Sequence, residues 1–262
     1  DADPYSFAGT NWVDVLQGTF NPATGAYSST ASSGWSSGAA STVNQVWSIL
    51  GVAAAQGSAP SEAVDFLLGL QEADGGWGYG FGGDTDMTGL ALQALMASGH
   101  ITPEHTAILD ALSFLRAQQD DQGSWGYVFN DTYTASPDST ASVMQALVAL
   151  GYTPATETWR VSDACHSELR EESGCGNPHT ALAALQAADG GFSGNALGTA
   201  HALAGLAEAP LPLFGRTQRA RLALTALADA QNADGSWNEF GFPSAGATAD
   251  AVLAFASANF AP

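Results

Sequence analysis

Lysine is absent from the chain, and its 262 residues hold only 6 basic side chains, all arginine, against 26 acidic ones. The net charge of −20 argues against nucleic acid and anionic lipid as partners, because both are first recognised by cationic patches. It favours solubility and suits a salty setting, so an extracellular or cell-surface location is expected. Long apolar runs are also missing. Stretches such as "LALQALMASG" (90–99) fall well short of the ~18 residues of a membrane span, which excludes insertion by a helix. No signal peptide is visible, and the chain starts at Asp1 rather than Met, as a processed chain would. Cysteine is scarce. Cys165 and Cys175 leave three readings open: a disulfide, favoured for an exported chain, a zinc site with His166 and His179, or two free thiols. Apolar content of 45% is ordinary and predicts a globular fold.

What is present is a repeat. "QEADGGW" (71–77) returns as "QDDQGSW" (119–125), "QAADGGF" (186–192) and "QNADGSW" (231–237), with a looser copy in "QGTFNPATGAY" (17–27). Four residues before each Gln stands Val13, Leu67, Leu115, Leu182 or Leu227, one helical turn back on the same face. Downstream, each repeat has a Thr at 42, 88, 140, 199 or 248. Apolar residues follow four and seven positions later: Val46 and Ile49, Leu92 and Leu95, Met144 and Leu147, Leu203 and Leu206, Val252 and Phe255. That spacing makes one buried stripe on a helix. Each repeat therefore reads as helix, Gly-rich turn, helix. Asp-Gly ends the first helix by local hydrogen bonding and positive φ, and the following Trp or Phe folds back as a structural staple.

The repeats run approximately over 10–57, 60–99, 103–152, 176–209 and 216–260, with an irregular insert at 155–175 that has room for a sixth helix pair. The expected architecture is one all-α domain over 1–262, an (α/α)6-type toroid of five clear hairpins.

The motif Q-x-x-D-G-[GS]-[WF] resembles the repeat shared by squalene cyclases, protein prenyltransferase β subunits and related toroids. Within that group the chain is most similar to bacterial surface proteins with prenyltransferase-like repeats, which look like the α domain of the transcobalamin and intrinsic factor family. "GTAHALAGLAEAPLP" (198–212), "DTDMTGLALQAL" and "DSTASVMQALVAL" bear the likeness. It implies an (α/α)6 barrel that binds a small molecule, with a corrinoid as a possible ligand. The resemblance to class II terpene cyclases implies an Asp-x-Asp-Asp acid. Asp84-Thr85-Asp86-Met87 lacks the last Asp, and Asp86 falls where the proton donor stands. A second barrel is expected beside such a site, and 262 residues leave no room for it. Protein prenyltransferase chemistry needs a zinc-binding Cys on an inner helix, and none is there. "GCGNP" (174–178) glances at a thioester motif but lacks its Glu and Gln.

Candidate site residues follow from position. Two after each Thr stand Asn44, Leu90, Ser142, His201 and Asp250, mostly polar in helices rich in Ala and Leu. Six after each Thr stand Ser48, Ala94, Ala146, Gly205 and Ala254, small enough for close helix packing or for a cavity. Trp77, Tyr79 and Phe81 precede Asp84 and suit a rim for a flat ligand, or a subunit contact. His201 is expected as a hydrogen-bonded wall residue or a cobalt contact. Asp86, Asp138 and Asp250 supply carboxylates in first halves of helices, with Asp86 the acid if the chain is an enzyme. Calcium at Asp84–Asp86 is a weaker option without EF-hand spacing. The expected function is a non-catalytic carrier of a small molecule. The alternatives are a scaffold binding copies of itself or other surface proteins, and, third, a terpene-cyclase-like or carbohydrate-active enzyme.

Overall fold

Three of the turn motifs close on themselves and on the segment that follows. In the computed structural model, Gln71 Nε2 donates to Gly75 O at 2.8 Å, within its own turn, and to Ala107 O at 2.8 Å, in the next hairpin. Gln119 does the same to Gly123 O and Trp159 O, and Gln186 to Gly190 O and Arg219 O. The Thr hydroxyl then pins the aromatic. Thr88 Oγ1 accepts from Trp77 N at 2.9 Å and donates to Trp77 O at 3.2 Å. Thr140 with Trp125 and Thr199 with Phe192 repeat both bonds. The glycine of the turn is required twice over. Gly75 has φ +90°, and a Cβ there would lie 2.7 Å from Asp110 O. The structure describes residues 4–6, 9–28, 41–154, 159, 177–208, 213–239, 242–244, 247–248, 251–252 and 254–255. Cys165, Cys175 and His166, with the disulfide and zinc readings, lie outside the described residues, as does Asp250.

The chain forms two compact units, Asp1–Leu115 and Arg116–Pro262. The first holds α1 (Trp12–Gln17), a hairpin of β1 (Phe20–Asn21) and β2 (Ala26–Tyr27), α2 (Thr42–Gln56), α3 (Ser61–Gly69), a hairpin of β3 (Trp77–Gly78) and β4 (Gly83–Asp84), α4 (Thr85–Ala97), and α5 (Thr106–Gln118), which runs past the boundary. α2 packs along α4, with α1 and α3 against α2. Val46, Ile49, Leu67, Leu92, Leu95, Ile108 and Leu115 are fully buried. Each such side chain contributes roughly 1.5–3 kcal/mol relative to exposure, so this stripe sets the helix faces.

The second unit holds a hairpin of β5 (Gly126–Phe129) and β6 (Thr132–Ala135), α6 (Pro137–Ala149), α7 (Pro178–Ala184), α8 (Ala196–Glu208), α9 (Leu213–Asp229), and a hairpin of β7 (Trp237–Glu239) and β8 (Phe242–Ser244). α6 packs along α8. Their approach is close because Gly205 has no side chain. A Cβ there would stand 3.0 Å from Ala141 Cβ. At that position the small residue serves helix packing, one of its two expected uses.

Three features depart from the sequence reading. The Gly-rich turns contain antiparallel two-stranded hairpins rather than coil, for example Trp77 opposite Asp84 and Gly126 opposite Ala135. Gly and Asp depress strand propensity, so no period of two was visible there. The second departure is in register. Helices α4 and α6 open on caps Asp84 and Ser136, and their Thr stands four residues after the cap. α2 opens on Ser41, and the residue four later is Gln45, not Thr42. Gln45 is fully buried, accepts from Tyr27 N at 3.0 Å, and donates to Gly25 O and Ala63 O at 2.9 and 2.8 Å. One amide thus does the work of both the Gln and the Thr of other repeats. Gln17, the expected motif residue, is exposed and bonds Gln56. Thirdly, Val252 and Phe255 of the expected last stripe are 55% and 39% exposed. No helix among the described residues is long and apolar enough to cross a membrane.

Candidate active site

Asp86 and Asp138 occupy the same place in their helices. Asp84 caps α4 by accepting from Met87 N at 2.9 Å, and Asp86 follows two residues later. Ser136 caps α6 by accepting from Ser139 N at 3.2 Å, Pro137 opens the helix, and Asp138 follows. A carboxylate in the first turn is favoured by the exposed amides and the helix dipole. Asp84 is therefore a cap, as its position predicts, and Asp86 and Asp138 are first-turn acids.

The two acids have different neighbours. In the second unit His201 Nδ1 lies 3.1 Å from Asp138 Oδ1. Both side chains are partly exposed, His201 at 33% and Asp138 at 28%. With Nδ1 protonated the imidazole donates and its Nε2 faces away from the carboxyl. The other carboxyl oxygen, Oδ2, accepts from Ser193 Oγ at 3.4 Å. Ser193 bonds the carboxylate and not the imidazole, so this trio is not set up to activate a serine nucleophile. The pairing has a positional cause. α6 and α8 lie side by side, so the residue two before Thr140 meets the residue two after Thr199. Each residue was singled out from its own repeat, but their meeting was not, because the sequence gives no relation between neighbouring repeats. Ser142, one turn beyond Asp138 on α6, is half-buried.

In the first unit Tyr79 senses the acids Asp84 and Asp86. Loss of hydration, then the charge of Asp84, then that of Asp86, raise its pKa above the ordinary value. The loop is tied down by carboxylates: Gly76 N and Gly83 N donate to Asp74, and Gly80 N donates to Glu72. The expected aromatic rim separates. Tyr79 and Phe81 are 63% and 98% exposed, whereas Trp77 is fully buried with Nε1 donating to Leu67 O at 2.8 Å. Trp77 is the staple, out of reach of a ligand. Asn44 is half-buried on α2, and its Nδ2 is enclosed with no hydrogen-bond partner among the described residues. The register of α2 sets Asn44 three after the cap, so it is not the counterpart of Ser142 and His201. Among the described residues no group of three or more His, Cys, Asp or Glu side chains could hold a metal ion. A surface cleft between Pro22, Gly25, Glu62, Asp65, Phe66 and Leu70 includes none of the candidates.

Residues 82–259 match the family of the squalene-hopene cyclase C-terminal domain. No curated protein matches the chain. Among solved structures, a protein from Actinoplanes is 18% identical, with 95% of this chain covering 82% of that one at a TM-score of 0.61. A variant of the type II terpene cyclase MstE from Scytonema is 17% identical, with 94% of this chain covering 69% of it at 0.62. Another MstE variant, in complex with geranylgeranyl dihydroxybenzoate as substrate, is 18% identical at 0.58, with 94% covering 74%. The fold is thus the all-α toroid class of these cyclases.

Two expectations are overturned. The cobalamin-carrier reading, with a corrinoid ligand and His201 as cobalt contact, gives way, because the matching family is that of a cyclase domain, the class ranked last from sequence. The scaffold alternative falls with it. The carrier likeness lay in Ala- and Leu-rich sequence such as 198–212, a composition that close helix packing alone demands. The chain belongs to the squalene-hopene cyclase C-terminal domain family.

Proposed function

We propose that the chain is a type II terpene-cyclase-like enzyme in which Asp138 gives the proton that starts cyclisation of an isoprenoid. The observation behind this reading is the Asp138–His201 pair, 3.1 Å apart, from the first turn of α6 and the second turn of α8. Protonating an alkene needs a carboxylic acid whose conjugate base is met by fixed donors. The O–H bond of Asp138 breaks, its proton joins one alkene carbon, and the cation forms on the other. The next alkene closes a ring on that cation, a proton lost from carbon to water ends the sequence, and water returns a proton to Asp138. The carboxylate left behind meets the imidazole N–H and the Ser193 hydroxyl, in a first turn where the dipole of α6 favours negative charge. Asp86 stands at the same helical position within Asp84-Thr85-Asp86-Met87, where its charge helps raise the pKa of Tyr79, and it is the second candidate.

The test is incubation of the purified chain with squalene, geranylgeranyl diphosphate and geranylgeranyl dihydroxybenzoate, followed by mass spectrometry for cyclised isomers. At least one substrate is expected to cyclise, with loss in Asp138→Asn. A folded chain that cyclises none of the three sinks the reading.

A further inference from the structure

We infer that Ser193 is a positioning residue, whose hydroxyl holds the second oxygen of Asp138 so that the carboxyl keeps one orientation. The use of that orientation rests on Asp138 as proton donor; the contact does not. His201 holds Oδ1 at 3.1 Å and Ser193 Oγ reaches Oδ2 at 3.4 Å. The terminal torsion of Asp is broad, so a carboxyl held at one oxygen still swings. A hold on each oxygen removes that freedom.

The surrounding backbone is arranged around this contact. Ser193 has φ +54° and Gly194 φ +65°, in a two-residue turn whose flanks, Phe192 and Asn195, bridge antiparallel. Such turns favour Gly, Asn or Asp at the first position, and serine is strained there. What serine has and glycine lacks is the hydroxyl. Asn195 ties the turn to the start of α8: its Nδ2 donates to Ser193 O at 3.2 Å and its Oδ1 accepts from Gly198 N at 2.7 Å. Gly198 clears the space. A Cβ there would lie 2.7 Å from Ser193 Cβ and Oγ and 3.1 Å from Asp138 Oδ2. A left-handed serine, its tether and a glycine gap thus converge on one carboxyl oxygen.

The experiment uses the full chain with ¹⁵N-labelled histidine and reads the His201 Nδ1–H resonance by NMR. Asp138→Asn marks the position of the imidazole without that carboxylate. Ser193→Gly removes the hydroxyl while relieving the backbone. Its unfolding temperature is expected at or above that of the parent, yet the His201 signal moves toward that of Asp138→Asn and broadens. Gly198→Ala keeps the hydroxyl but displaces it, and is expected to give the same shift. A merely structural serine predicts no shift in Ser193→Gly. An unchanged His201 signal in that variant, with movement in Asp138→Asn, overturns the positioning role and leaves the pair standing. No movement in Asp138→Asn removes the pair and the proposal together. These spectra need no turnover, so a chain that cyclises nothing can still show the hold of Ser193. With a substrate in hand, Ser193→Gly is expected to lower kcat roughly ten- to a hundred-fold with KM little changed.

Discussion

The corner at the start of α4 and the corner at the start of α6 are built alike. Each has a hairpin, a side-chain cap, an acid two residues later and a Thr four residues after the cap that pins a buried Trp. Their chemistry differs. At α6 the acid is answered by an imidazole from the neighbouring helix, whereas at α4 a half-hydrated tyrosine from its own loop feels the acids. The backbone plan repeats because caps, Thr and Trp are local. The chemistry does not repeat, because it comes from whichever residue the next helix presents.

The sharpest way to break this comparison is to neutralise each acid. Asp138→Asn is expected to lower the rate of cyclisation by roughly 10²–10⁴-fold, the usual yield of a positioned acid, and Asp86→Asn by only a few-fold. Equal losses in a product assay would erase the distinction between the corners. Next in size is the first joint of the chain. Gln45→Ala leaves Tyr27 N, Gly25 O and Ala63 O without that amide, at about 1–3 kcal/mol for each group left unpaired. Gln17→Ala, at the position the motif suggested, is expected within about 0.5 kcal/mol of the parent in urea unfolding. The caps come third. Asp84→Ala and Ser136→Ala should each cost about 1 kcal/mol by the same measurement, and a large inequality would show that one corner is held by more than its cap.

The smallest effect is a pH dependence. Burial first, then the charge of Asp120, pushes the Tyr133 phenol up to about 12 from 10.0. A raised phenol favours the neutral form in the folded chain. Its contribution to stability is therefore complete below pH 10 and lost as pH climbs through 12. Tyr133→Phe should flatten the stability curve in that window. Tyr79 is raised as well, and removing the charges of Asp84 and Asp86 should bring its ultraviolet titration back toward the ordinary range.

Much of the fold could be read from the chain because the repeat is local. Gln71, Asp74, Gly75, Trp77 and Thr88 lie within one turn and the helix after it, and each meets the others as spacing predicts. The first repeat was misread for the opposite reason. Gln45 replaces two motif residues with one, so Thr42 and Asn44 were aligned three positions early. The candidate site was legible only in halves. Asp138 and His201 stood out as polar residues on apolar helices, but their pairing depends on the approach of α6 and α8. Ser193 gave no signal, since serine in a Gly-rich turn is ordinary until its φ and its neighbour are known. The carrier reading failed because the motif fixes how hairpins join and is silent on what their helices enclose.

The glutamines of three turns point one way along the chain. Gln71 reaches Ala107, Gln119 reaches Trp159 and Gln186 reaches Arg219. In these three the acceptor outside the turn belongs to the segment that follows. A newly duplicated hairpin placed downstream thus finds a donor already waiting. One placed upstream must bring its own glutamine. Growth of such a chain by gene duplication has a built-in direction, and an emerging polypeptide meets each acceptor only after the glutamine that will bind it has been made.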